Sequence, residues 1–247
     1  VTSENPVRED PNAQEFWLSQ MRETSALNRW VFSQFESALG HNILEVGCGT
    51  GNFTALIGEA GTKILGVDID EGFVKTAQAA TEHLSGVTIE NRDITKSNWN
   101  AEFDTVVMLD VLEHLVSDVE MLERLWRALA PGGRLIIKVP AMPGIFGAMD
   151  EVVGHQRRYT RRTLVDAIKA AGFSDPKCWA FNLVGVFGWW LNGRVLRRTV
   201  PPAAQLKGFN RLVPLLRAID IFAPPGVGLS LIAIAERPQS SDRGKSH

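Results

Sequence analysis

The stretch LDVLEHL carries three side chains with the means to do chemistry together. Asp110, Glu113 and His114 stand at i, i+3 and i+4, which gathers them on one face if the segment opens a helix. An imidazole titrates near neutral pH unaided. His114 is therefore the first catalytic candidate, as a general base or as the group that orients an acceptor. A second reading makes the same three residues ligands of a divalent cation, completed by a later side chain such as His155. A third is architectural, with Glu113 capping a helix start and His114 packing below a bound ligand. The metal reading is not adopted, and no metal is expected.

A second stretch, GHQRRYTRR, sets Arg157, Arg158, Arg161 and Arg162 around Tyr159, the only tyrosine in the chain. Guanidinium suits carboxylate or phosphate through paired hydrogen bonds. Arg161 and Arg162 fall in the first turn of a helix, where a cation is unfavourable by about 0.3–1 kcal/mol. Internal partners are at hand: Asp166 is i+4 from Arg162, and Asp150 and Glu151 are close in sequence. The expectation is that Arg157 or Arg158 faces the ligand crevice and holds an anionic group, the other arginines pairing within the protein. Tyr159 and His155 join His114 as catalytic candidates, Tyr159 either hydrogen-bonding an acceptor or packing. Four arginines in one loop do not make the basic track a duplex needs, and the formal net charge is −2, so no nucleic-acid partner is expected.

These groups need a frame. NILEVG, KILGVDID, VTIEN, FDTVVMLD and RLIIKVP read as strands. They alternate with the helical runs TALIGEA, EGFVKTAQAATEHL and DVEMLERLWRALAPGG, the last closed by Pro-Gly-Gly. Continuous Val, Ile and Leu strands between helices describe a parallel sheet covered on both faces, a doubly wound α/β domain. TRRTLVDAIKAAGF is a helix with Thr160 as N-cap and Gly172 as its stop, and GLSLIAIAER reads as a last strand. In such a sheet the loop after the fifth strand rises beside the ligand crevice, which is where the arginines are.

Immediately after the first strand, ILEVGCGTGNF places Gly47, Gly49 and Gly51 before a helix. Glycines there let the backbone turn sharply and approach a ligand at a helix N-terminus. Asp68, 19 residues after Gly49, ends the second strand, where a carboxylate can accept both hydroxyls of a ribose. The dinucleotide fingerprint is G-x-G-x-x-G; this loop is G-x-G-x-G preceded by Glu45, which disfavours a nicotinamide oxidoreductase.

At this point the chain resembles the class I S-adenosylmethionine-dependent methyltransferases. The matching stretches are LEVGCGTGNF, GVDID, NRDI, FDTVVMLDVLEHL and LAPGGRLIIKVP, in the family's order over residues 43 to 140. The resemblance implies S-adenosylmethionine as cofactor and a Rossmann-like, mostly parallel sheet of seven strands, the last antiparallel. It further implies that Glu45 and the loop of Gly47, Cys48, Gly49 and Gly51 hold the methionine end. Asp68 would take the ribose hydroxyls with Ile69 beside the adenine, Asp93 would meet the adenine amine with Ile94 along the ring, and Leu109 would offer its carbonyl near the amino acid portion.

The flanks complete the reading. Residues 1–14 and 238–247 are polar tails, and 15–40 form a helical cover carrying Phe16, Trp17, Met21, Leu27, Trp30, Val31 and Phe35 at roughly helical intervals. The cofactor-binding core spans 41–182. Residues 183–226 are too long for an ordinary connection and read as a helical insertion rich in Trp, Phe and Leu, before a last strand at 227–237. That insertion is a lid or core, a dimer contact, or a peripheral membrane contact through 183–198, where Trp189 and Trp190 precede Arg194, Arg197 and Arg198. The longest apolar run falls short of the ~20 residues that span a bilayer. Cys48 and Cys178 form no C-x-x-C pair, which points away from a disulfide scaffold or structural zinc and toward a cytoplasmic protein. The expected activity is methyl transfer to an oxygen, less readily a nitrogen, of a small anionic molecule in a biosynthetic pathway. The alternatives are a lipid-linked or prenyl acceptor at a membrane surface, and a non-catalytic cofactor-binding partner subunit.

Overall fold

The computed structural model describes residues 24–224 and 226–239. Seven strands form one sheet: β1 (Asn42–Val46), β2 (Lys63–Asp68), β3 (Val87–Asn91), β4 (Phe103–Leu109), β5 (Leu129–Pro140), β6 (Ser174–Phe181) and β7 (Ser230–Glu236). Their order is β3-β2-β1-β4-β5-β7-β6, and β7 runs antiparallel to both β5 and β6. The first helix described, α1 (Ser25–Phe32), precedes β1. Then α2 (Asn52–Glu59), α3 (Glu71–Thr81), α4 (Asp118–Ala128) and α6 (Arg161–Ala170) follow β1, β2, β4 and β5, with the short α5 (Ala148–Val152) before α6.

Period-two alternation sends successive apolar side chains to opposite faces of the sheet. Leu44, Val106, Leu135 and Ile137 enter one core with Leu122 and Leu125 of α4 and Leu164 and Ile168 of α6. Ile43, Val107 and Ile136 enter the other with Trp30, Val31 and Phe32 of α1 and Ile57 of α2. Each such side chain, fully buried, contributes about 1.5–3 kcal/mol. Because both faces are covered, the central strands read as unbroken apolar runs.

The Thr160 cap forms as expected, its hydroxyl accepting from Thr163 N at 3.1 Å, and Gly172 ends the helix region at φ 94°. β6 was not legible as a strand. It lies at the sheet edge, where Pro176 is tolerated, and its register shifts between Ser174 and Lys177, so no alternating pattern survives. Pro-Gly-Gly does not merely stop a helix: α4 ends at Ala128, and Leu129 already pairs with Phe103 of β4.

Between β6 and β7 stand α7 (Leu183–Trp189), continued by a π-helical segment (Trp190–Val195), and α8 (Ala203–Asp220). Leu27 N of α1 donates to Asn210 Oδ1 of α8 at 3.0 Å, so α1 and α8 close over the same face of the sheet. The expected first part of the helical cover, with Phe16, Trp17 and Met21, and the tails at 1–14 and 240–247 lie outside the described residues. No helix among the described residues is long and apolar enough to cross a membrane.

Candidate active site

The chain leaves β1 through Gly47, Gly49 and Gly51 at φ 74°, 52° and 82° and enters α2. A Cβ on Gly47 would lie 2.3 Å from Val111 Cγ2, and one on Gly51 would lie 3.0 Å from Ala77 Cα. Only glycine meets both demands there. Gly49 N donates to Asp68 Oδ2 at 2.8 Å and Asp70 N to Asp68 Oδ1 at 3.0 Å, so the acid at the end of β2 is fixed against the loop. Burial pushes the Asp68 carboxyl above its ordinary value, partly opposed by those two bonds.

Glu45 is buried beneath the loop, where Thr54 Oγ1 donates to Oε2 at 2.5 Å. Burial pushes its carboxyl up to about 8. Cys48 is buried too, and its thiol is pushed up by burial, which removes it as a nucleophile. Ile69 is 72% exposed beside Asp68. Asn91 Nδ2 ties β3 to this rim by donating to the carbonyls of Asp68 and Ile69 at 3.1 and 2.9 Å. Asp93 accepts from Thr95 Oγ1 and Thr95 N, which hold it below its ordinary range, and pairs with Lys96 at 3.2 Å. Ile94 is packed against the core, and Leu109 is buried at the end of β4.

Across the end of β4 lies a cavity of about 450 Å³. Its walls are apolar, from Leu27 and Val31 of α1, Val184 and Phe187 of α7, and Leu206 and Phe209 of α8. Its polar pole is formed by Asp110, His114, Lys138, His155 and Arg158.

LDVLEHL does not open an α-helix. Asp110 adopts φ 54° and residues 112–114 make one 3-10 turn, so Asp110 does not share a face with Glu113 and His114. Its carboxylate is instead held by Lys138 Nζ. Burial, and then the neighbouring His155 imidazole, push His114 down to about 4, so its imidazole is neutral at working pH. Glu113 is fully buried, without a helix-capping bond; burial pushes its carboxyl well above the ordinary range.

Asp150 organises the far side of the pole. Its Oδ1 lies 2.9 Å from His155 Nδ1 and accepts from Arg158 Nε at 2.7 Å. Its Oδ2 accepts from Gly147 N and Trp189 Nε1, each at 3.0 Å. Arg158 NH1 donates to Ala141 O at 2.8 Å, and its guanidinium lies 4.7 Å over the Trp189 ring.

The arginine expectation needs correction. Arg158 reaches the cavity, but its fork is engaged inside the protein by Asp150 and Ala141. Arg157 does not line the cavity: it pairs with Asp118 at 3.3 Å and donates to Val116 O at 2.9 Å. Tyr159 is also displaced from the chemistry. It is 2% exposed and its hydroxyl donates to Asp118 Oδ2 at 3.0 Å, an anchor for the loop. Arg162 pairs with Asp166 at 3.6 Å, as its spacing suggested. Sequence reasoning passed over Asp150 as a site residue and did not consider Lys138. Asp150 had a signal, its closeness to His155 and Arg158; Lys138 looked like one more residue of a buried strand.

A family model described as a methyltransferase domain matches residues 44–135, the cofactor side up to β5. The chain is 28% identical to a probable S-adenosylmethionine-dependent methyltransferase of Mycolicibacterium smegmatis, over 81% of this chain and 82% of that one. It is 31% identical to the ubiquinone biosynthesis O-methyltransferase of Pseudomonas fluorescens over 43% of this chain and 47% of that one, so that match spans about half of the relative. A solved S-adenosylmethionine-dependent methyltransferase from Mesorhizobium loti shares the fold with a TM-score of 0.59 at 19% identity, over 83% of this chain and 97% of that one.

Proposed function

We propose an acceptor class for a chain that belongs to the class I S-adenosylmethionine-dependent methyltransferases: it methylates a hydroxyl oxygen of a small molecule whose body is apolar. S-adenosylmethionine supplies an electrophilic methyl when bound. The residues of the glycine rim fit that cofactor. The loop admits no Cβ at Gly47 or Gly51 and so leaves backbone free for close approach. Asp68 Oδ2 accepts from Gly49 N and Oδ1 from Asp70 N, and a carboxylate has lone pairs beyond these for ribose hydroxyls. Glu45, a buried carboxyl with one hydroxyl partner, suits a cationic methionine end. The exposed Ile69 is an apolar surface of the kind an adenine ring covers. The family resemblance assigns Asp93 and Ile94 to the adenine amine and ring, and the Leu109 carbonyl to the amino acid portion.

The cavity carries the acceptor reading. Its largely apolar walls suit a hydrocarbon body, and the cluster of Asp110, His114, Lys138, His155 and Arg158 suits a hydroxyl end. Methyl transfer is mainly a matter of positioning and exclusion of water, which such walls provide. Neutral His114 and the oriented Nε2 of His155 are the groups able to take the hydroxyl proton. The engagement of both loop arginines moves the reading away from an anionic acceptor.

The test uses methyl-labelled S-adenosylmethionine with two acceptor series: phenols bearing alkyl or prenyl chains of rising length, and hydroxylated carboxylic acids without them. kcat/KM should rise with chain length in the first series and stay near background in the second. Turnover confined to the acids would overturn the reading.

A second reading, in which the acceptor is drawn from a lipid surface, is favoured by α8. Leu212, Leu215 and Ile219, with Phe222 just beyond, form an exposed apolar stripe, and Lys207, Arg211 and Arg217 lie on the same helix. Exposed Phe187 lines the cavity wall nearby.

A further inference from the structure

Glu113 is fully buried, and neither of its carboxyl oxygens has a hydrogen-bond partner. Leaving a buried polar group unpaired costs about 1–3 kcal/mol, and more if it is charged. Two imidazoles stand beside it. His155 Nε2 lies 3.7 Å from Glu113 Oε1, and the His114 and His155 rings meet edge to face with centroids 4.8 Å apart. One ligand atom from each of the three residues lies within 4.8 Å of the other two.

The outer nitrogens of both rings are engaged. His155 Nδ1 is bound by Asp150, and His114 donates to the backbone carbonyl of Gly154. That leaves one lone-pair nitrogen on each ring, beside the unpartnered carboxyl. Histidines that ligate metals are held in this way, the second N–H on a carboxylate or a carbonyl and the free nitrogen aimed at the ion. Asp150 is itself braced by Arg158, Trp189 and Gly147 N, so the support extends outward from the ligand shell.

We propose that Glu113, His114 and His155 bind one divalent cation of the borderline class, such as Zn²⁺, Co²⁺ or Fe²⁺. Ligands about 2.1 Å from an ion stand about 3–3.5 Å from one another, so a pair at the 4.8 Å limit closes by about 1.3–1.8 Å. Asp110, the fourth member of the set suggested by spacing, is excluded because Lys138 holds it. Both histidines line the cavity, so the remaining coordination positions face inward. That placement, which rests on the acceptor reading above, would bring the acceptor hydroxyl to the open side of the ion; with both imidazole lone pairs then on the ion, the ion would take over from His114 and His155 in favouring loss of the hydroxyl proton.

The experiment uses tag-free, full-length protein stripped with a chelator, with neither cofactor nor acceptor present. Co²⁺ is titrated for its visible ligand-field absorption, and Zn²⁺ by calorimetry. One ion per chain should bind. Binding should be lost in Glu113→Gln and in His155→Ala and weakened about 10–100-fold in Asp150→Asn. Glu113→Gln keeps the side-chain volume, and circular dichroism establishes that each variant is folded. Absence of stoichiometric binding to the wild type, or equal affinity in folded Glu113→Gln, overturns the proposal. Since no acceptor enters the assay, failure here leaves the acceptor reading standing, and a wrong acceptor leaves ion binding intact.

Discussion

Asp150 fixes the tautomer of His155. Its Oδ1 lies 2.9 Å from Nδ1, and the carboxyl stays ionised. Burial alone would raise it, but the bonds from His155 and Trp189 and the charge of Arg158 outweigh burial and hold it below its ordinary value. An ionised Asp150 requires the proton on Nδ1, which leaves the lone pair on Nε2, 3.7 Å from Glu113 Oε1.

Asp150→Asn should therefore lower kcat about 10–100-fold while leaving the affinity for S-adenosylhomocysteine unchanged. Steady-state kinetics with calorimetry separates the two. A parallel loss of cofactor affinity would mean that the substitution acts on the whole fold.

The two arginines of the loop should part company. Arg157→Gln removes a partly exposed pair with Asp118 and should leave the acceptor KM within about twofold. Arg158→Gln removes the guanidinium paired with buried Asp150 and should cost about 3–5 kcal/mol of stability, read as a lowered melting temperature. A raised KM in Arg157→Gln would restore the anionic acceptor.

The cofactor rim was legible because its residues are close in sequence and each is dictated by backbone demands: glycines at positive φ, an acid at a strand end. The polar pole was legible only in part. His114 and His155 were singled out, but the one-face spacing of Asp110 assumed a helix that the φ of Asp110 prevents. Which arginine faces inward depends on Asp150 and Trp189, which lie 39 residues apart and meet only through the fold. β6 escaped because an edge strand with a proline and a register shift has no period to read.

Gly47→Ala should weaken S-adenosylhomocysteine binding at least tenfold, since its Cβ would strike Val111 at 2.3 Å in a left-handed backbone. Gly61→Ala is the control, with φ 80° and nothing within 4 Å of the added carbon. It should cost stability through strain alone and leave binding unchanged. Equal binding losses in both would dissociate the loop from the cofactor.

Stability of the cofactor-free protein should depend on pH through Glu45. The unfolded chain releases this proton near 4.5 and the native protein near 8. The contribution is fully present below 4.5 and is lost progressively as pH rises toward about 8, where the native carboxyl finally ionises. Glu45→Gln should flatten that slope in melting temperature. Parallel curves for variant and wild type over this range would remove Glu45 as its source.

Leu215→Ser together with Phe222→Ser should abolish cosedimentation with vesicles rich in anionic lipid, without changing affinity for S-adenosylhomocysteine. Retained vesicle binding would place any membrane contact elsewhere.

The bond from Leu27 to Asn210 joins positions 183 residues apart. α1 leaves the ribosome early, yet it meets α8 only after nearly every strand has been made. The methionine-and-adenine half can gather from neighbours in sequence, whereas the acceptor chamber must wait until α8 has been made. Until then the apolar side chains of α1 that will line it have no partner, and the nascent chain is most exposed to chaperones, or to aggregation, over that interval.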